Sequence, residues 1–109
     1  WTFRVDNDGN SIATGNVTAY SDIRLKTDIQ VIPDALAKVC ALRGVTYERI
    51  GTGERQTGVI AQEVQAVLPE AVMDGEHLSV AYGNMVGLLI EAVKELAAKV
   101  KELEDASTK

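Results

Sequence analysis

The sequence predicts an α+β fold, mainly helical, in which short helices and extended β-hairpins lead to one long C-terminal helix that forms a parallel coiled coil. Three patterns predict it. From about Ala81 to Glu104, the residues Val86, Leu89, Val93, Leu96, Val100 and Leu103 recur at alternating spacings of three and four, a heptad with Val at one core position and Leu at the other. Turn signals at Gly51-Thr52-Gly53 and Asp74-Gly75 each separate two short extended segments. Pro33 opens a short apolar stripe of helical spacing, and Gly44 follows its end.

Composition sets the limits within which these patterns act. The chain has 109 residues, 46% apolar and 25% charged, the balance of a folded chain with at most one compact domain. A chain of this length buries a modest core. One Trp, one Phe and three Tyr add little to it, so self-association is expected. A net charge of -5, with no basic patch interleaved with aromatics, argues against nucleic acid or an anionic membrane as partner. The single Cys40 excludes an internal disulfide and is compatible with a reducing compartment. Its place in a helical apolar pattern assigns it to the core. There is no signal peptide, no apolar run of membrane-spanning length and no initiating Met, so the chain reads as the C-terminal piece of something longer.

In order along the chain, Trp1, Phe3 and Val5 alternate, Asp6-Asn7-Asp8-Gly9-Asn10 is turn-rich, and Ile12, Ala13 and Val17 follow as short apolar points. Residues 1–20 are therefore read as short strands joined by turns, the end of an upstream fibre or sheet supported by neighbouring copies. Asp6, Asp8 and Asn10 have the spacing of a calcium loop, but Ser11 and Val17 stand where that loop needs Gly and Glu. A hairpin turn is the better reading. Leu36, Val39 and Cys40 predict a helix from Pro33 to about Leu42, with the Asp34 charge favourable in its first turn. Val45–Ile50 and Arg55–Ile60 predict a hairpin, and Val64 and Val67 a helix over 61–68 that Pro69 ends. A second hairpin is expected around Asp74-Gly75. His77 just beyond it has no Cys or second His with which to share a metal, and reads as an exposed turn residue.

The terminal helix carries more apolar surface in its first half, where Met85, Leu88 and Ile90 lie off the heptad seam, so this half is expected to pack on more than one element. The alternative, one amphipathic helix lying on the chain's own core, leaves the C-terminal half with little to bury. Val and Leu at the two core positions favour two strands by themselves.

Ser21 and Lys26 carry the candidate chemistry. A serine hydroxyl becomes a good nucleophile when a base takes its proton, and a lysine amine is that base only when neutral. Burial by Ile23, Leu25 and Ile29 would favour the neutral amine, whereas Asp22 and Asp28 would favour the ammonium. Five positions apart on a regular helix the two side chains would diverge. Either Ser21 precedes the helix on an extended or turn segment, or the lysine comes from another chain.

Three motifs in order, Ser21-Asp22-Ile23-Arg24-Leu25-Lys26, then Gly58-Val59-Ile60-Ala61-Gln62-Glu63-Val64 leading to Leu68-Pro69-Glu70-Ala71-Val72, then Val80-Ala81-Tyr82 opening a long helix, resemble the C-terminal intramolecular chaperone domain of phage tail spikes, tail fibres and endosialidases. The resemblance runs from about Ser21 to Glu104. It implies a homotrimer whose C-terminal helices form a three-stranded bundle, so residues 21–109 are the chaperone domain and 81–104 its coiled-coil helix. It implies Ser21 as nucleophile, Lys26 as general base, and cleavage between Tyr20 and Ser21. The partners it implies are two further copies and the upstream fibre domain of the same polypeptide, in host cytoplasm during phage assembly, with the fibre going to the virion tail. No cofactor or metal is implied. Gln62, Glu63, Glu70 and Tyr82 fit the pattern and read as structural, with Gln62 and Glu63 capping or bridging chains at the helix start and Tyr82 anchoring the terminal helix. A permanent, non-catalytic trimerisation cap is the alternative reading.

Overall fold

The turn chemistry at the start of the chain acts as its residue types dictate. The Asp6 carboxylate accepts the backbone N–H groups of Asp8 and Asn10, both at 2.9 Å, and so closes the turn of a hairpin between β1 (Phe3–Val5) and β2 (Ser11–Ala13). A computed structural model describes residues 1–108 and divides into two compact units, Trp1–Gln30 and Val31–Lys109.

The second unit holds the core. Helix α1 (Ala35–Cys40) is followed by the hairpin β3 (Val45–Glu48) and β4 (Arg55–Gly58), whose register pairs Val45 with Gly58 and Glu48 with Arg55. Gly51 and Gly53 take φ of 99° and 72°, the left-handed region that side-chain-bearing residues avoid, and this is why the turn signal there is glycine. Helix α2 (Ala61–Val67) ends at Leu68, and Pro69 opens a single 3-10 turn over Pro69–Ala71. A short hairpin, β5 (Val72–Met73) with β6 (Ser79–Val80), leads through a 3-10 turn at Tyr82–Met85 into α3 (Val86–Ser107). The expected helices and hairpins are present in the expected order.

Ala35, Val64, Leu68, Ala71, Met85, Leu88 and Ala92 form the buried core, with Ile32, Val39, Leu42, Val59, Val67, Val72 and Val80 packed around it. The α3 residues in this set are Leu88 and Ala92, with half-buried Glu95 continuing the same row. The heptad row is a different one. Val86, Leu89, Val93, Leu96, Val100 and Leu103 are all exposed, from 46% at Val100 to 72% at Leu103. At 3.6 residues per turn the two rows lie about 100° apart around the helix axis. The chain therefore packs the first half of α3 on its own core through Leu88 and Ala92 and leaves the heptad row uncovered.

Two expectations for α1 are corrected. Cys40 is exposed, not part of the core, because the helix has only six residues and its inward face runs through Ala35 and Val39, which leaves Cys40 off it. The helix also ends earlier than Leu42. Asp34 adopts a left-handed backbone (φ 53°) and makes no side-chain cap. Glu95 of α3 does that work, its two carboxylate oxygens accepting the N–H groups of Ala35 at 2.7 Å and Leu36 at 3.3 Å. Glu95→Ala leaves those two donors unpaired in a half-buried place. It is expected to lower unfolding stability by about 1–3 kcal/mol, read in urea, while Glu95→Gln recovers part of the loss.

Candidate functional site

The segment from Ser21 to Lys26 lies in the first unit and is shaped by one local device. Asp22 is in extended backbone (φ -63°, ψ 133°), and its carboxylate accepts the N–H of Arg24 at 2.8 Å, capping a single 3-10 turn over Ile23–Leu25. Within that turn the N–H of Leu25 donates to the Asp22 carbonyl at 3.0 Å, and the N–H of Lys26 to the Ile23 carbonyl at 3.1 Å. Lys26 then returns to extended backbone (φ -121°, ψ 146°). Ser21 therefore precedes the turn and Lys26 follows it. On a continuous α-helix the pair would diverge by roughly 140°. Here the lysine Nζ lies 2.8 Å from Ser21 Oγ, within one chain. Within one chain the two side chains meet across the turn.

The electrostatics around the pair are already partnered. Arg24 donates from Nε to both oxygens of Asp22 at 3.1 Å and from Nη2 to Oδ2 at 2.7 Å. The Arg24 guanidinium, with its own backbone N–H second, holds the Asp22 carboxyl below the usual carboxylate range, and Asp22 in turn raises Arg24. Asp28, the other carboxylate expected to favour the ammonium, accepts from the Gln30 side chain at 3.1 Å. Among the described residues Lys26 enters no ion pair. The expected burial is absent from the single chain, where Ile23, Leu25 and Ile29 are 71%, 68% and 62% exposed. For Ile23 and Leu25 the reason is geometric, since a three-residue turn flanked by extended backbone has no inner face to bury.

Glu63 and Tyr82, read as structural, have structural contacts. Arg43 donates to Glu63, and this contact pulls the Glu63 carboxyl below its usual range. The pair ties α2 to the segment after α1. Glu63 Oε1 is buried without a hydrogen-bond partner. The Tyr82 hydroxyl accepts the Val59 N–H at 3.4 Å and closes over Gly58, where an added Cβ would lie 2.6 Å from it. Gln62, Glu70 and His77 are exposed. Among the described residues no group of His, Cys, Asp and Glu is set to hold a metal ion, and no helix is long and apolar enough to cross a membrane. Reading by motif missed Glu95 and the tie between Arg24 and Asp22. The second had a signal, an Asp with an Arg two residues on at a helix start.

The family model described as chaperone of endosialidase, which bears a peptidase name, matches residues 21–73. This segment belongs to that family. The match begins at Ser21 and takes in the whole Ser21–Lys26 turn. Among curated relatives, the long tail fiber protein Gp37 of Enterobacteria phage K3 is 45% identical over 86% of this chain, and that of Enterobacteria phage M1 is 34% identical over 94%. Myelin regulatory factor homolog 1 of Caenorhabditis elegans is 34% identical over 88% of the chain. The chain spans less than half the length of each, 8%, 47% and 12% respectively.

Proposed function

We propose that the chain is the intramolecular chaperone of a phage tail fibre, that it works as a homotrimer, and that it separates from the fibre by a single self-cleavage between Tyr20 and Ser21. The observation that carries the catalytic part is the 2.8 Å contact between Lys26 Nζ and Ser21 Oγ in a segment of the endosialidase-chaperone family. As an ammonium, Lys26 donates to the hydroxyl. As a neutral amine it takes the hydroxyl proton across the same contact. Ser21 Oγ then attacks the carbonyl carbon of Tyr20, the C–N bond breaks, and the departing nitrogen takes a proton to become the Ser21 amine. The Tyr20 carbonyl is left as an ester on Oγ. Water hydrolyses the ester, leaving Tyr20 with a carboxylate and Ser21 with its hydroxyl restored. Each chain turns over once.

Assembly rests on the uncovered heptad of α3, which three copies would share along 81–104. A parallel arrangement would hold the three upstream chains in register while a slowly folding β-structured fibre, of which residues 1–20 are the end, forms. In the assembled state the exposed Ile23, Leu25 and Ile29 are the apolar surface available to shield the amine and favour its neutral form. Their exposure in one chain also favours a second reading, a cap that stays on the fibre and never cuts. The deciding measurement is the denatured intact mass of the chain carrying an upstream tag. Two fragments meeting between Tyr20 and Ser21 support self-cleavage; a whole chain in a stable oligomer supports the permanent cap.

A further inference from the structure

Within one chain, the Ser21–Lys26 contact depends on a turn that buries none of its residues. No residue of Ile23–Leu25 is buried, and two backbone hydrogen bonds, Leu25 to Asp22 and Lys26 to Ile23, are all that close it from the main chain. Exposed turns of this length fray in water. What remains is the Asp22 carboxylate, which caps the turn through the Arg24 N–H and is gripped by the Arg24 side chain. We propose that Asp22 and Arg24 are positioning residues of the self-cleavage reaction: Asp22 winds the turn that carries Lys26 back to Ser21, and Arg24 occupies the Asp22 carboxylate so that it cannot capture the lysine.

The two roles separate by chemistry. Winding needs a side-chain oxygen that accepts from the Arg24 N–H, and an amide oxygen does this as well as a carboxylate. Capture needs a negative charge, which an amide lacks. A carboxylate released from Arg24 would lie within the same short segment as the Lys26 amine and would favour its charged, non-basic form. Asp28, the other acid of the segment, is engaged with Gln30 and leaves Asp22 as the acid to be restrained.

This inference rests on the self-cleavage reading, and one experiment distinguishes the failure of each. The tagged chain is followed by denatured intact mass over time as wild type, Asp22→Ala, Asp22→Asn, Arg24→Ala and the double variant Asp22→Asn/Arg24→Ala, with oligomer size and helix content checked for each. Asp22→Ala loses the cap and is expected to cut about 10- to 100-fold more slowly, the scale of a misplaced reacting group. Asp22→Asn keeps the cap and is expected to stay within about threefold of wild type. Arg24→Ala is expected to be about tenfold slower, and adding Asp22→Asn to it is expected to restore most of the rate, because the freed charge is gone. A second substitution that speeds the reaction is not what loss of structure produces. Asp22→Ala cutting at the wild-type rate, or the double variant slower than Arg24→Ala, overturns the inference alone. A wild type that stays whole overturns the self-cleavage reading and this inference with it.

Discussion

Chains carrying Ser21→Ala or Lys26→Ala are expected to stay whole under conditions in which the wild type splits, while forming the same oligomer. Ser21→Ala removes the attacking oxygen, so no ester can form and the loss is complete. Lys26→Ala leaves the hydroxyl but removes the group 2.8 Å from it that would take its proton. General-base contributions of this kind are worth about 10²- to 10⁴-fold, enough to stretch a minutes-long cleavage into days. Lys26→Arg is the sharper control. A guanidinium keeps the positive charge and the hydrogen-bond donors but is never neutral in a protein, so it is expected to fail as fully as alanine. Intact mass under denaturing conditions reads the cleavage, and sedimentation velocity the assembly. Cleavage in Lys26→Arg at more than about a tenth of the wild-type rate would remove lysine from the role of base.

Leu88→Ala is expected to have the largest effect on stability. Leu88 is fully buried where α3 meets the rest of the second unit, and with Val64 it is one of the two largest side chains there that are wholly enclosed. Truncation removes transfer energy and leaves a cavity, together about 2–5 kcal/mol. A domain of this size has about 5–15 kcal/mol in all, so the loss is a large fraction of the total. Leu96→Ala, on the exposed row of the same helix, provides the contrast. It is expected to leave the unfolding midpoint of dilute protein within about 0.5 kcal/mol of wild type. It should lower the midpoint of concentrated protein, where mass action couples folding to association. Urea denaturation at two protein concentrations checks both, and a Leu96→Ala effect that does not change with concentration would count against the uncovered row as an assembly surface.

The elements were legible in the sequence because each has local punctuation: glycines at the β3–β4 turn, Pro33 just ahead of α1, Pro69 at the start of its 3-10 turn, and the three-four spacing of α3. What was not legible was the direction in which short elements face. Six residues of α1 give too little periodicity to tell Val39, which packs inward, from Cys40, which does not. The Glu95 cap joins residues about sixty positions apart, beyond any local rule. At the site, the types and spacing of Ser21 and Lys26 were readable, and so was the need for a turn between them. The burial assigned to Ile23, Leu25 and Ile29 was not: Ile23 and Leu25 stand in a three-residue turn that has no side of its own to hide on, and Ile29 lies beyond it, also exposed.

The two rows of α3 bear on the proposed assembly. Because Leu88, Ala92 and Glu95 are already engaged within the chain, the helix cannot spin about its long axis, and the azimuth of Val86, Leu89 and Val93 is set before any encounter. An association that would otherwise search rotation as well as position then has one angle fewer to find. Beyond Glu95 the helix runs on unbroken to Ser107, so the same azimuth carries to Leu96, Val100 and Leu103, which stay exposed.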